Sequence, residues 1–271
     1  MAGDERAALL RWYVEMGADE AIGDAPNDRF AKSPGPAGER VEPDAQRREG
    51  EEAAAPNPPL PRPVPLPGGE KGMSARSVAE AATTIDELRA AVMAFEGCTL
   101  KRTATHTVFT DGVPGAPLLV IGEAPGGEED RLGLPFVGRS GQLLDRMLAA
   151  IGFDRRHNAF ISNILFWRPP GNRKPTDEET ALCLPFVWRL IALANPKAVL
   201  LCGGTAVASL LGRSEGITRL RGRWVELPVP GLEQPVPVMP TYHPSFLLRT
   251  PQKKGEAWRD LLELQAKLLA K

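Results

Sequence analysis

From Ser74 onward, short uninterrupted apolar runs alternate with longer stretches in which apolar residues return every third or fourth position. The first pattern predicts buried strands and the second amphipathic helices. APLLVIGEAP (116–125) reads as a buried strand entering a glycine-rich turn, and AFISNILFW (159–167) as a second buried strand. TTIDELRAAVMAFEG reads as a helix with Thr84 as its N-cap. SGQLLDRMLAAIGF is a helix with Leu143, Leu144, Met147 and Leu148 on its apolar side. TDEETALCLPFVWRLIALANP is a helix capped by Thr176, with acids in the first turn where the helix dipole favours them. KAVLLCGGTAVASLLG is strand, glycine turn and helix. PVPVMPTYHPSFLL is a last strand and loop, and QKKGEAWRDLLELQAKLLA a closing helix. Strands alternating with helices predict an α/β fold, a three-layer α/β/α sandwich with a largely parallel central sheet.

The first 73 residues have another texture. Leu9, Leu10, Tyr13 and Val14 suit a short amphipathic helix within 1–22. Residues 23–73 are polar, with eleven prolines between Pro26 and Pro67, and read as a flexible linker. Residues 74–271 form the expected catalytic domain.

Charge sharpens this division. Residues 1–75 hold 9 Lys+Arg against 14 Asp+Glu, whereas the remaining residues hold 24 against 20. A mildly basic domain behind an acidic leader is compatible with a nucleic-acid partner. The acidic start, MAGDERAALLRWYVEMG, is unlike a signal peptide, and no apolar run reaches the roughly 18 residues of a membrane span. Cys98, Cys183 and Cys202 are too few for a disulfide framework, and a cytoplasmic setting is expected.

In parallel sheets the ligand site lies beyond the carboxyl ends of the strands. Three unusual loops are expected there: GEAPGGEED (122–130), SNILFWRPPGNR (162–173) and YHPSFLLR (242–249). The glycines of the first permit close approach to a ligand, but the loop lacks the lysine of a phosphate-binding P-loop and carries three acids in a row, Glu128, Glu129 and Asp130. Phe136 is a core aromatic or a stacking platform for an extruded base. Asn163 either ties down its own loop or pairs with one edge of a pyrimidine. Arg168, Arg173 and Lys174 flank the prolines and are candidates to meet phosphates. Of three histidines, His106 and His157 fall in polar turns, whereas His243 follows a strand and precedes a proline. No second ligand lies at metal spacing near it.

Taken together, GEAPGGEEDRLGLPFVGRSGQLLDRML, ISNILFWRPPGNR and HPSFLLR resemble the characteristic blocks of uracil-DNA glycosylases of the family 4 type. The resemblance runs from about Phe95 to Leu262. It implies an enzyme of base-excision repair that flips uracil out of DNA and hydrolyses its N-glycosidic bond. In that reading Phe136 stacks on the flipped base and Asn163 hydrogen-bonds its polar edge. His243 stabilises negative charge at the uracil O2, and Gly122 and Ala124 contribute to the base-binding loop. Glu123 lies near the sugar and the attacking water, and Ser245, Phe246, Leu247, Leu248 and Arg249 enter the duplex. A donor at O2 is worth about 3–4 kcal/mol if it acts like one oxyanion-hole donor. Ala124 stands where the best-known relatives carry an aspartate, which leaves the water-activating role of Glu123 open.

Typical members of that family hold a [4Fe–4S] cluster on four cysteines. Here Cys98 and Cys183 align with two ligands, while Phe95 and Trp167 replace the others. Because a cluster needs four thiolates, no metal or cofactor is expected, and the two aromatics are expected to fill the space. The implied partner is DNA carrying uracil or other deaminated bases, met by a monomer with no membrane involvement. A broad enzyme that also removes hypoxanthine or xanthine, and a non-catalytic DNA-binding repair module, remain open alternatives.

Overall fold

The computed structural model describes residues 74–270 except Ser214, so the helix expected within 1–22 and the linker over 23–73 lie outside the described residues. Helices α1 (Ala75–Ala81) and α2 (Ile85–Ala94) come first, and Thr84 caps α2 by accepting from the Glu87 N–H. The strands are β1 (Thr110–Gly112), β2 (Leu118–Gly122), β3 (Ala159–Asn163), β4 (Ala198–Cys202), β5 (Val225–Leu227) and β6 (Val236–Thr241). Between and after them lie α3 (Gly127–Leu132), α4 (Arg139–Ala149), α5 (Asp177–Ala194), α6 (Gly204–Leu211), α7 (Ile217–Leu220), α8 (Pro244–Arg249) and α9 (Lys254–Leu269). Thr176 caps α5 as expected.

One sheet runs in the order β1-β3-β2-β4-β6-β5. The four inner strands are parallel, and β1 and β5 close the two edges antiparallel. Residues of one strand alternate between two cores, as the two-residue strand period requires. Leu119, Ile121, Val199, Leu201 and Val238 face one core, shared with α1, α2, α5 and α6. Leu118, Val120, Ile161, Leu200 and Met239 face the other, shared with α4, α8 and α9. Burial on both faces explains why these strands read as continuous apolar runs. Among the described residues no helix is long and apolar enough to cross a membrane.

Three expectations need correction. The second strand ends at Asn163 and does not continue to Trp167: Ile164 and Leu165 donate to the Gly122 and Glu123 carbonyls, carrying the chain across the end of β2. The GEAPGGEED segment is a turn only to Gly126, after which its acids start α3. PSFLLR is a helix, with Pro244 at its first position, where the missing N–H costs nothing.

The chain after β2 packs α4 on one face, whereas the chain after its neighbour β4 packs α6 on the other. That reversal opens a crevice at the carboxyl ends of the inner strands.

Candidate active site

The crevice is a cleft of about 600 Å³. It is lined from the β2 loop by Glu123, from the α3–α4 connection by Phe136, from the end of β3 by Asn163, and from the turns after β4 and β6 by Gly203 and His243. Four loops far apart in sequence meet here because their strands are neighbours in one sheet.

Asn163 is the last residue of β3, in register with Gly122 at the end of β2. Its side chain is 2 % exposed, and among the described residues its amide has no hydrogen-bond partner. A buried amide left unpaired costs about 1–3 kcal/mol, and this one lines the cleft. Gly122 makes the arrangement possible: a Cβ there would lie 2.4 Å from the Phe136 ring and 2.5 Å from Asn163 Oδ1.

Phe136 adopts φ +52°, a left-handed conformation costing a residue with a Cβ about 1–2 kcal/mol. Its ring lies 5.6 Å from the His243 imidazole at 28°. Glu129 organises the turns around it. One carboxylate oxygen accepts from the Val137 and Gly138 N–H groups at 3.0 and 2.8 Å, and the other from Gly126 at 3.1 Å. Asp130 anchors the neighbouring segment, accepting from the Thr105 and His106 N–H groups. Two of the four acids in the first loop, Glu129 and Asp130, thus hold backbone in place.

His243 precedes α8, and its Nδ1 accepts from the Ser245 N–H at 3.1 Å, with Ser245 Oγ at 2.8 Å. An accepting Nδ1 leaves the proton of the neutral ring on Nε2. Burial, helped by the charge of Arg249, lowers its pKa from 6.5 to about 4. Near neutral pH it is an uncharged donor. His157 pairs with Asp154 at the surface, and His106 Nδ1 meets the Asp130 carbonyl, so neither reaches the cleft.

A buried unpaired amide, a ring and a neutral histidine donor thus line one cleft. The family model of the uracil DNA glycosylase superfamily matches residues 109–262, a span containing all of them. The chain belongs to that superfamily. It is 39 % identical to a type-4 uracil-DNA glycosylase of Thermotoga maritima over 167 residues, 61 % of this chain and 83 % of the relative. It is 36 % identical to one of Pyrobaculum aerophilum over 168 residues, 60 % of this chain and 84 % of the relative. With one of Archaeoglobus fulgidus it shares 34 % over 185 residues, 67 % and 92 % of the two chains.

The residues expected to meet DNA divide into several environments. Ser245, Phe246, Arg249 and Arg173 line the cleft of this superfamily member. Leu248 is half-buried and Lys174 exposed. Arg168 donates to Asn172 at 2.8 Å, and Arg173 holds Glu179 through both terminal nitrogens, fixing the RPPGNR loop onto α5. Leu247 corrects the expectation that it enters the duplex. It is fully buried in the core with α4 and α9, because α8 turns it inward and leaves Phe246, Leu248 and Arg249 as the outward positions.

The region expected to hold aromatics in place of metal ligands is apolar. Phe95 packs edge-on against Phe186 at 5.1 Å, and Phe166 meets Trp167 at 6.0 Å and Phe186 at 6.3 Å. Trp167 is 1 % exposed, with its indole N–H donated to Thr107 at 3.0 Å. Cys98 and Cys183 are buried beside these rings, and the hydrogen bond with Cys98, together with burial, pushes the Cys183 thiol up. The third cysteine, Cys202, belongs to the opposite core. Two thiols among packed rings do not fit a four-thiolate cluster. Among the described residues no group of three or more His, Cys, Asp or Glu could hold a metal ion.

Arg155, Glu129, Asp111 and Asp145 escaped sequence reasoning. Nothing local distinguishes such residues, since their contacts are made across the fold.

Proposed function

We propose that this chain is a uracil-DNA glycosylase of base-excision repair, acting as a cytoplasmic monomer on uracil-containing DNA and leaving an abasic site. The observation that carries the reading is the unpaired Asn163 amide, buried at the end of β3 and facing the cleft. In this mechanism the extruded uracil lies against Phe136, while Asn163 pairs with its O4 and N3–H edge. The His243 Nε2–H donates to O2. As the C1′–N1 bond breaks, its electron pair leaves with uracil as an anion delocalised onto O2. A neutral histidine suits this step because a donor that keeps its proton stabilises the anion without first being deprotonated. Glu123, at the cleft wall, stabilises the cationic sugar and orients the water whose oxygen joins C1′, and the proton that this water loses neutralises the uracil anion. Ser245, Phe246, Leu248, Arg249, Arg168, Arg173 and Lys174 form the DNA-facing rim.

The enzyme works without an iron–sulfur cluster in this proposal. Three cysteines in the chain, one of them in the other core, support it, as does the ring packing around Phe95 and Trp167.

The test is alkali-induced strand cleavage of labelled oligonucleotides containing uracil, hypoxanthine, xanthine or thymine, single- and double-stranded, with His243→Ala beside the wild type. Uracil release lost in the variant is the expected result. Release of purines as well would identify the broader enzyme, and DNA binding with no release would identify a repair module without catalysis.

A further inference from the structure

We infer that Arg155 is a positioning residue for excision: its guanidinium holds the Phe136 backbone in the conformation that aims the ring into the base cleft. The inference rests on the reading of Phe136 as the base platform.

Phe136 has φ +52°, and a free chain would leave that conformation for an ordinary one. Two features oppose relaxation. The Phe136 carbonyl is seated over Gly141 in the first turn of α4, where a Cβ would come within 1.8 Å of the carbonyl oxygen. The same carbonyl accepts from Arg155 Nη2 at 2.7 Å, and the preceding one, of Pro135, accepts from Nη1 at 3.1 Å. The remaining N–H groups of the guanidinium also have partners. Nε and Nη2 donate to Asp145 at 2.9 and 2.7 Å, and Nη1 donates to Asp111 at 2.8 Å. All five donors of a guanidinium are thereby used in one planar fork, a geometry that an ammonium cannot reproduce.

Arg155 is itself held. It sits in a turn where Asp154 accepts from the N–H groups of Arg156 and His157 at 2.7 and 3.1 Å, and Asn158 accepts from that of Asp154 at 2.8 Å. Although burial works against its charge, Asp111 and Asp145 keep the Arg155 pKa raised. Arg155, Asp111 and Asp145 are absent from the cleft lining, so they act on bound base only through Phe136.

The test compares Arg155→Lys, Phe136→Ala and the double variant with the wild type. Three quantities are read: inhibition by free uracil, single-turnover release from duplex DNA, and amide exchange in the peptide spanning 133–141. Arg155→Lys should weaken uracil inhibition and slow release about ten- to a hundredfold, the cost of a platform misplaced by about 1 Å. It should also speed exchange in 133–141. In the Phe136→Ala background the lysine has no ring to position, so uracil inhibition should weaken no further. An equal further loss there, or a single variant within twofold of wild type in all three readouts, would overturn the inference. Should Arg155→Lys fail to fold, Asp145→Asn replaces it with the same outcomes. If the wild type neither releases nor binds uracil, the functional reading fails separately. The exchange measurement then decides alone: faster exchange upholds the grip on Phe136, and unchanged exchange refutes it.

Discussion

Gly122→Ala is the most economical way to disturb the base site without removing any group in it. The added methyl would lie 2.4 Å from Phe136 Cζ, 2.7 Å from its Cε2 and 2.5 Å from Asn163 Oδ1, where ordinary contact begins near 3.4 Å. Both neighbours must retreat by about 1 Å, because Gly122 is held at the end of β2 by its register with Asn163 and by the Ile164 N–H donated to its carbonyl. Misplacement on that scale costs on the order of a hundredfold in rate. The overpacking also costs about 1–3 kcal/mol of stability, a fall in Tm of roughly 2–12 °C for a domain of this size. The assay is single-turnover uracil release with excess enzyme, alongside a thermal melt. Gly127→Ala is the matched control, since the nearest atoms its Cβ would meet are those of the Arg168 guanidinium, at 3.5 Å, an ordinary contact. A Gly122→Ala enzyme that releases uracil within threefold of the wild-type rate would refute the reasoning, because the ring and amide would then be tolerant of displacement.

Other expectations follow from the same geometry. Asn163→Ala should lower excision about a hundredfold or more while leaving Tm unchanged or raised, since it removes an unsatisfied buried amide; a lowered Tm with normal excision would mean the amide is structural. Leu247→Ala should cost about 2–5 kcal/mol in chemical denaturation, whereas Leu248→Ala should leave stability nearly intact and weaken duplex binding. His243 has a folded pKa of about 4 against 6.5 when free, so below pH 6.5 the unfolded chain binds more protons. Its contribution to stability is therefore lost as pH falls from 6.5 toward 4, by about 3 kcal/mol in total. Denaturation of wild type against His243→Gln should show that slope only in the wild type. Purified protein should be colourless, and an iron and sulfide assay should find no stoichiometric cluster.

The repeating strand–helix pattern was legible because both faces of β2, β3 and β4 are buried and leave long apolar runs. The helix caps at Thr84 and Thr176 were equally local and equally readable. By contrast, β1 and β5 are three residues each and carry no periodicity of their own; their pairing depends on neighbours remote in sequence. Asn163 and His243 stood out as polar residues interrupting apolar context. Arg155 did not, since an arginine in FDRRHNAF looks like any solvated turn residue until the fold brings Asp111 and Phe136 to it. Leu247 was misjudged because a short helix assigns inward and outward positions that a loop would not.

The two short edge strands have a consequence for the behaviour of the chain at high concentration. A parallel sheet with bare flanks would offer rows of unpaired N–H and C=O groups to any other strand in the cell. Here the long apolar strands are all interior, and each flank is capped by a reversed strand of three residues, TDG on one side and VEL on the other. So brief a border, with an acidic residue at the centre of each, is a poor template for a foreign strand. Lengthening either border with alternating valine and threonine should promote edge-to-edge self-association.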